Sequence, residues 1–301
     1  MLLTSAHVLS FKSIENSSSV LIDPDTTVLV GQNEAGKTAF LQALHKARSA
    51  EKGIAFDVVQ DYPRKSLNTY QKKHDESPDT VVQLTYTLQA TDIAEINREL
   101  GFAVLTSLTF TLIHDYANKF RIMLSIPEQP YLSYRLEGAA LTPNTVQEVG
   151  KAQTIREAQE VFAKLDLNSE ETAFAERLTT DYPPLASPGW KKLLEYHIWR
   201  THLAPKLPKF LYFDDYYLLP GKVNLSSLKR RVDTENLSES DRTVLSLLNV
   251  AGVDLDSMLV EGGYEPARAK LEAISNTITD RLFKYWTQNR ELVSCQSSIT
   301  G

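Results

Sequence analysis

The feature of this chain that most constrains its fold is a glycine-rich segment that lies between an apolar stretch and a helical pattern. Residues 31–38 read Gly-Gln-Asn-Glu-Ala-Gly-Lys-Thr, which matches the phosphate-binding loop pattern of Gly, any four residues, Gly-Lys and Ser or Thr. The apolar residues 27–30 predict a strand before the loop, and a helix is expected to begin near Lys37. Backbone N–H groups of such a loop turn inward towards phosphate, and the helix dipole adds to their attraction. The sequence therefore predicts a site for a nucleoside triphosphate.

The positions of this loop have expected roles in binding the phosphates. Lys37 is expected to reach the β- and γ-phosphates, and the Thr38 hydroxyl is expected to bind Mg²⁺. The catalytic residues stay unidentified at this stage. The residues of the segment that are expected to bind the nucleotide are Gly31, Asn33, Glu34, Ala35, Gly36, Lys37, Thr38 and Ala39.

The composition is that of a globular chain with no general affinity for polyanions. With 301 residues, of which 42% are hydrophobic, the chain is long enough for one large domain or two smaller ones. The formal net charge of −6 means that any contact with nucleic acid depends on a local basic patch or on a partner. The amino terminus lacks the pattern of a signal peptide, and no run of about 18 apolar residues appears. A single cysteine, Cys295, excludes an internal disulfide. We therefore expect a cytoplasmic protein that does not contact membranes.

Residues 1–140 are predicted to form an amino-terminal α/β lobe that contains the loop. Alternation and helical spacing of apolar residues are the basis for its elements. The predicted strands cover residues 3–11, 19–22, 27–30, 81–88, 105–114 and 120–126. One helix is predicted over 37–49, and another over 91–100 with Thr91 or Asp92 as its cap. The residues of the first helix that are expected to face the sheet are Phe40, Leu41, Leu44 and Ala47. The polar segment 51–79 is interpreted as a solvated loop.

Residues 141–290 are predicted to form a helical region with one buried strand near 209–213, and residues 291–301 an unstructured tail. Apolar residues recur at three and four positions through most of this region, which is typical of helices. The predicted helices cover residues 145–165, 169–179, 190–202, 225–232, 238–250 and 266–290.

Acidic and histidine pairs of the second half have competing interpretations. Asp214 and Asp215 follow an apolar run, so they could hold Mg²⁺ beside the loop or could cap a turn. Asp254 and Asp256 fit a helix cap better than a metal site. His197 and His202, five positions apart on a predicted helix, are expected on different faces, an arrangement that does not suit zinc.

Basic and glycine-rich segments also have two competing interpretations each. The basic residues within 62–65, 72–74 and 229–231 and Arg242 are expected to lie on solvated faces, with contact to a polyanion as the alternative. The glycine pair within 261–264 fits an inter-helix turn better than a nucleotide signature.

Two short motifs carry a resemblance to a known class of ATPases. The sequence Phe-Lys-Ser-Ile at residues 11–14 ends the first predicted strand, and Gly-x-Asn-x-x-Gly-Lys-Thr forms the loop at 31–38. Over residues 8–47 the chain resembles the amino termini of the ATPase heads of the SMC, RecF and OLD (overcoming lysogenization defect) families. Residues 208–224 look like the OLD branch, which includes Gabija-like and other bacterial defence ATPases.

The resemblance implies a P-loop ATPase head of the ABC class, with an inserted and mostly helical region. It implies that ATP and Mg²⁺ are the cofactors, that Asn33, Gly36, Lys37 and Thr38 bind them, and that Lys12 contacts the phosphates from the neighbouring strand. In these families ATP is coupled to DNA processing or to antiphage defence. DNA or a partner protein, and a homodimer, are therefore the implied partners.

The family's signature motif, its apolar-Asp-Glu strand and its switch histidine have no recognised counterpart here, so the resemblance implies a head that is incomplete at its carboxyl end. Family members hydrolyse ATP between two heads, one of which supplies the signature motif. We therefore expect binding of Mg-ATP with very low turnover. The alternative is a nucleotide-sensing interaction module that binds ATP without hydrolysing it. A third interpretation is a gene remnant, which would fold poorly because sheet edges stay uncovered.

Overall fold

The computed structural model describes residues 1–184, 189–212 and 223–250, together with four single residues, Leu255, Asp256, Ala273 and Asn276. This part of the chain has an α/β architecture, as predicted. It divides into two compact units, Met1–Ala43 with Phe56–Pro208, and Leu44–Ala55 with Lys209–Gly301. The boundary predicted at residue 140 lies inside the first unit.

A five-stranded antiparallel sheet with the strand order β2-β1-β3-β4-β5 organises the first unit. The strands are β1 (Leu2–Phe11), β2 (Ile14–Leu21), β3 (Thr80–Thr87), β4 (Thr109–Asp115) and β5 (Phe120–Met123). The central strand β3 alternates as the sequence predicts, and Val82, Leu84 and Tyr86 are fully buried. All four strand pairs of this sheet are antiparallel, so the sheet alone does not identify a P-loop nucleotide-binding fold.

The helices are short, and most of them begin at a capping side chain. Helix α1 begins in the first unit. Helices α2 to α9 lie in the same unit and come, along the chain, either between its strands or after the last of them. The helices are α1 (Lys37–Ala47), α2 (Val58–Asp61), α3 (Leu67–Gln71), α4 (Ala90–Leu100), α5 (Gln129–Glu137), α6 (Pro143–Val149), α7 (Ile155–Phe162), α8 (Ser169–Asp181), α9 (Leu193–Ile198), α10 (Leu225–Asp233) and α11 (Glu239–Val250). A π-helical turn, Trp199–Leu203, and a 3₁₀ turn, Ala204–Lys206, continue α9. Among the described residues no helix has the length and apolar character needed to cross a bilayer.

A buried carboxylate joins the helices of the first unit. Glu128 is 1% exposed and accepts hydrogen bonds from the backbone N–H groups of Ile155 (2.8 Å) and Leu194 (2.6 Å). These two groups lie in the first turns of α7 and α9, where helical N–H groups have no partner within their own helix. Burial raises the pKa of Glu128, and the two backbone donors oppose that rise. One side chain thus fixes the starting points of two helices.

The strand predicted at residues 27–30 is absent from the structure, and the prediction was wrong. The segment leads into the loop without pairing to any described strand, and Val28 and Val30 are 73% and 86% exposed. Valine favours strands, but a strand also needs a neighbour to receive its backbone hydrogen bonds. Local sequence could not tell whether that neighbour exists.

Two details of the predicted helices were also wrong. Leu41 was expected to face the sheet but is 46% exposed, whereas Phe40 and Leu44 are buried. The helix α4 begins after Gln89 rather than at Thr91 or Asp92, and the Asp92 carboxylate accepts the Gln89 N–H at 3.1 Å. Asp92 was correctly predicted to cap α4, but it lies in the first turn of the helix and reaches back to Gln89 instead of preceding the helix.

The segment 51–79, interpreted as a solvated loop, contains α2, α3 and a buried aromatic cluster. Tyr62 and Tyr70 stack at 4.0 Å between ring centroids and are 7% and 1% exposed. The Tyr62 hydroxyl donates to Asp79 at 2.8 Å, and the Tyr70 hydroxyl is 2.8 Å from Nδ1 of His74. The aromatic residues of this polar segment therefore attach it to the sheet.

The second unit has its own small core on α10 and α11. Leu228, Val244 and Leu248 are buried there together. Of the strand predicted near 209–213, Phe210 forms a single parallel bridge with Ser49, and residue 213 lies outside the described residues. The helix predicted over 266–290, apart from single positions, and the tail 291–301 also lie outside them.

Candidate functional site

The loop that precedes α1 has the conformation that its glycines permit. Glu34 and Gly36 have positive φ angles of 66° and 88°, and α1 begins immediately afterwards at Lys37. The carbonyl of Gly36 accepts the N–H of Phe40 at 2.8 Å and so starts the helical hydrogen-bond pattern. The first turn of α1 contains no acidic residue, so no carboxylate within that turn opposes an approaching anion. The sequence thus placed this turn and the helix start correctly.

The ammonium group of Lys37 folds back over the loop. Its Nζ donates to the carbonyls of Gly31 and Gln32, at 2.7 Å each. A Cβ atom on Gly31 would lie 4.0 Å from this Nζ and 3.4 Å from Cβ of Ala35. Both are ordinary van der Waals distances, so the lysine lies directly beside Gly31. The Lys37 ammonium is thus held by two carbonyls of the loop at the start of a helix.

Most of the predicted loop residues are exposed to solvent, and one of them, Ala39, is buried. Ala39 is 7% exposed, so its methyl group is buried beneath the helix and only its backbone could take part in binding. Gly36 and Lys37 are half-buried. The predicted residues that are exposed are Gly31, Asn33, Glu34, Ala35 and Thr38.

Lys12 lies on the turn between β1 and β2, and this turn packs against the loop. A Cβ atom on Gly36 would lie 3.0 Å from Cγ1 of Ile14 and 3.5 Å from Oγ of Ser13. The exposed Nζ of Lys12 donates to Oε1 of Gln42, in the second turn of α1, at 2.6 Å. The structure therefore brings the two predicted lysine-bearing segments together, although the Lys12 ammonium contacts the helix rather than the inside of the loop.

The residues present fit the phosphates of a nucleotide and one Mg²⁺ ion. The partners of Lys37 and Lys12 are carbonyl oxygens and an amide, so each ammonium can exchange a neutral acceptor for a charged phosphate oxygen, which is the stronger interaction. The described residues contain no group of three or more His, Cys, Asp or Glu placed to hold a metal ion. The Thr38 hydroxyl would therefore share Mg²⁺ with phosphate oxygens and water, which is how Mg²⁺ is usually held beside a nucleotide.

The structure describes only some of the acidic and basic candidates of the second half. Asp214, Asp215 and Asp254 and the glycine pair within 261–264 lie outside the described residues. Asp256 forms an ion pair with Lys229 at 2.7 Å, and Lys229 also pairs with Asp233 at 3.0 Å.

The basic segment 229–231 is in part internally neutralised. Arg231 donates to both carboxylate oxygens of Asp241, at 2.8 and 2.6 Å. This bidentate pair, together with two Ser238 hydrogen bonds, lowers the pKa of Asp241 to about 2. Arg242, in contrast, is exposed.

His197 and His202 lie against the same carboxylate, so the prediction that they face different sides was wrong. Nε2 of His197 is 2.9 Å from Oε1 of Glu99, and Nε2 of His202 is 2.8 Å from Oε2. The reason is the π-helical turn Trp199–Leu203, which has more residues per turn than an α-helix and brings positions five apart closer to one face.

Sequence reasoning missed the groups that hold the Lys12 turn in place. The Tyr116 hydroxyl donates to the Ser10 carbonyl at 2.5 Å, and the Lys12 N–H donates to the Asp61 carbonyl at 2.6 Å. The available signal was indirect: Tyr62 and Tyr70 stand in a polar segment, and in the structure their rings pack against Tyr116.

The site therefore consists of one loop, one helix start and one lysine-bearing turn, all within residues that carry the motif resemblance. No family model and no curated protein matches this chain.

Proposed function

We propose that this chain binds Mg-ATP through the loop at residues 31–38, as an ATP-binding head of the OLD/RecF/SMC class of P-loop ATPases. In this proposal Lys37 contacts the β- and γ-phosphates, Thr38 binds Mg²⁺, and Lys12 adds a second positive charge from the neighbouring turn. The remaining loop residues surround the phosphates with their backbone N–H groups.

The observation that carries the proposal is the position of the Lys37 ammonium group. It is held by the carbonyls of Gly31 and Gln32, at the start of a helix whose first turn has no acidic residue. A lysine that served only solubility would have no reason to fold over a glycine turn. A phosphate oxygen carries a negative charge that these carbonyl oxygens lack, so the Lys37 ammonium would gain a charge–charge attraction when it exchanges them for phosphate.

Replacing Lys37 by alanine tests this proposal. We expect Lys37→Ala to abolish binding of a fluorescent ATP analogue, measured in the presence of Mg²⁺, because it removes the charge closest to the loop. The matched control is Lys164→Ala, which removes an exposed lysine in the turn after α7. The control should bind like the unchanged protein. Equal affinity of Lys37→Ala and the unchanged protein would overturn the proposal.

Hydrolysis separates the proposed ATPase head from the alternative, a nucleotide-sensing module that binds ATP without turnover. Both hypotheses share the binding step, so a phosphate-release assay on the purified protein distinguishes them. We expect very low turnover. Steady phosphate release that Asp214→Ala abolishes would instead assign hydrolysis to this chain alone and give Asp214 a direct role.

The class resemblance extends the proposal to partners. ATP binding would be coupled to DNA processing or antiphage defence, through a homodimer or a partner protein. Sedimentation with and without Mg-ATP tests the homodimer, and the affinity for the ATP analogue with and without duplex DNA tests coupling to DNA. If neither quantity changes, ATP binding stands but these partners do not.

A further inference from the structure

The turn that carries Lys12 has positive φ angles at residues that are not glycine. Only two residues, Lys12 and Ser13, connect the paired positions Phe11 and Ile14. Lys12 has a φ of 50°, and Ser10, two residues earlier, has a φ of 47°. In two-residue turns, positions with positive φ are usually filled by glycine or asparagine, because other side chains crowd the backbone there. A lysine at such a position points to a role for its side chain that glycine could not perform.

Two hydrogen bonds hold this strained backbone from the side opposite to solvent. The Tyr116 hydroxyl donates to the Ser10 carbonyl at 2.5 Å, and the Asp61 carbonyl accepts the Lys12 N–H at 2.6 Å. Tyr116 and Asp61 are 2% and 1% exposed, whereas Ser10 is half-buried and Lys12 is exposed, so each bond joins the turn to a buried residue. The first bond holds the carbonyl of Ser10, and the second holds the N–H of Lys12; both residues have a positive φ.

Tyr116 is itself fixed by its surroundings. Its ring lies 6.0 Å from Phe56, 5.3 Å from Tyr62 and 5.6 Å from Tyr70, measured between centroids. Its backbone N–H donates to the Asp79 carbonyl at 3.1 Å. Burial raises its pKa, so the hydroxyl stays protonated and remains a donor at neutral pH. The aromatic cluster of the segment 56–79 therefore aims one hydroxyl group at the Ser10 carbonyl.

The other side of the same turn touches the phosphate loop. A Cβ atom on Gly36 would lie 3.0 Å from Ile14 and 3.5 Å from Ser13, and the Lys12 ammonium donates to Gln42 of α1. A shift of the turn would change both the packing of Gly36 and the position of Lys12. The geometry of the loop is thus linked to the hydroxyl of Tyr116 through Ser10 and the turn.

We propose that Tyr116 is a positioning residue for nucleotide binding, which acts through the Ser10 carbonyl to hold the Lys12 turn against the phosphate loop. This inference rests on the proposed binding of Mg-ATP at that loop. The hydroxyl touches no phosphate. It keeps the turn in the conformation that binding requires, so the nucleotide does not have to order it.

The decisive variant is Tyr116→Phe, which keeps the ring and its stacking but removes the hydroxyl. We expect its dissociation constant for the fluorescent ATP analogue to rise about fivefold, the loss expected of one buried hydrogen bond. The matched control is Tyr182→Phe, because Tyr182 is also buried, at 4% exposure, and donates its hydroxyl to Tyr131 at 2.8 Å in the helical part. The control should lose stability but not affinity.

Rescue by glycine distinguishes positioning from general damage. Glycine adopts a φ near 47° without crowding, so Ser10→Gly should preserve the turn even without the hydroxyl bond. We expect Tyr116→Phe to weaken binding much less in a Ser10→Gly background than alone. Ser10→Val, which keeps Tyr116 but places a branched residue at positive φ, should weaken binding as Tyr116→Phe does. This variant keeps the inference testable if Tyr116→Phe unfolds.

The outcomes separate this inference from the proposed function. If Lys37→Ala abolishes binding but Tyr116→Phe and Ser10→Val bind normally, the positioning role is wrong and ATP binding stands. An affinity loss in Tyr116→Phe that Ser10→Gly does not reduce would also overturn the role, since it would mark general destabilisation. If Lys37→Ala binds normally, the proposed function itself fails.

Discussion

Gly36 of the loop at residues 31–38 packs beside Ile14, the first residue of β2. A Cβ atom on Gly36 would lie 3.0 Å from Cγ1 of Ile14, and the φ of Gly36 is 88°. The backbone angle therefore favours glycine at this position, and a Cβ there would also require Ile14 to move. The contact places the loop at residues 31–38 beside the turn at residues 12–13.

Gly36→Ala separates these two requirements when it is compared with a second glycine. Gly53 has a φ of 78°, but a Cβ there would meet no atom within 4 Å. We expect Gly53→Ala to lower the free energy of unfolding by about 1 kcal/mol through backbone strain alone. Gly36→Ala should cost about 1 kcal/mol more and should also weaken binding of the ATP analogue, because the turn and the loop are pushed apart. Urea unfolding and analogue titration measure the two effects.

Equal stability losses in the two variants would mean that Ile14 moves aside at little cost. In that case the loop and the turn are not tightly packed against each other, and the affinity of Gly36→Ala should then match that of the unchanged protein.

The exposed valines before the loop contrast with the valines of the central strand. Val28 is 73% exposed, whereas Val82 on β3 is fully buried. Val→Thr keeps the shape and replaces one methyl group by a hydroxyl, so the two substitutions differ only in environment. We expect Val82→Thr to cost about 2 kcal/mol, because it buries a polar group. Val28→Thr should change the free energy of unfolding by less than about 0.5 kcal/mol.

A large loss in Val28→Thr would show that this segment is covered in solution, by a second copy or by other parts of the chain. Chemical unfolding at two protein concentrations distinguishes these cases, because only association with a second copy makes the loss depend on concentration.

The strands and helices that could be predicted were those whose signal is local. Alternation located β3 and the hairpin of β4 and β5, and the loop pattern placed the start of α1 at Lys37. The segment 27–30 has an equally good strand pattern but lacks a described partner, and pairing is a property of the whole fold. The sequence also could not show the π-helical turn that brings His197 and His202 to one carboxylate. Helices are predicted from the α-helical period, and a π-helical turn departs from that period.

The same contrast holds for the candidate site. The glycines and the lysine of the loop are recognisable because they stand at the spacing of the phosphate-binding pattern. The groups that support Lys12 are not, because Tyr116 and Asp61 reach the turn from distant parts of the sequence and act through backbone atoms. Backbone contacts place little restriction on residue type, so they leave no motif.

A carboxylate between two helices makes stability depend on pH. Oε1 of Glu171 accepts hydrogen bonds from the N–H and the hydroxyl of Thr142, at 2.9 and 2.8 Å, and Oε2 accepts the Asn168 N–H at 3.1 Å. The backbone bond from Thr142 and the threonine hydroxyl groups lower the pKa of Glu171 to about 2 from its usual 4.5. The stabilisation is therefore complete above the unfolded pKa and is lost as pH falls from about 4.5 towards 2.

Glu171→Gln should therefore lower the melting temperature at pH 7, with a difference from the unchanged protein that shrinks as pH falls below 4.5. Glu170→Gln is the control, since Glu170 is exposed and lies next to Glu171 in the first turn of α8. Its effect should be small at pH 7. A constant difference between Glu171→Gln and the unchanged protein from pH 7 to pH 3 would contradict the predicted linkage.

The carboxylate of Glu99 joins α4 to the π-helical turn by contacting two histidines, His197 at 2.9 Å and His202 at 2.8 Å. His202 is 4% exposed, so its contact is shielded from solvent, whereas Glu99 itself stays partly exposed. We expect Glu99→Gln to lower the free energy of unfolding by about 1 kcal/mol, because the carboxylate that hydrogen-bonds to His197 and lies against the His202 ring becomes a neutral amide with one acceptor oxygen. Urea unfolding at pH 7 measures this loss.

Two comparisons assign the loss to the shared contact. Glu160→Gln changes an exposed carboxylate on α7 and should leave the free energy of unfolding unchanged. In a His202→Phe background, which removes the buried ring nitrogen, Glu99→Gln should cost less than it does alone, because contacting residues are not additive. Full additivity of these two substitutions would mean that Glu99 and His202 are neighbours without an energetic interaction, and that the π-helical turn is held by its apolar residues alone.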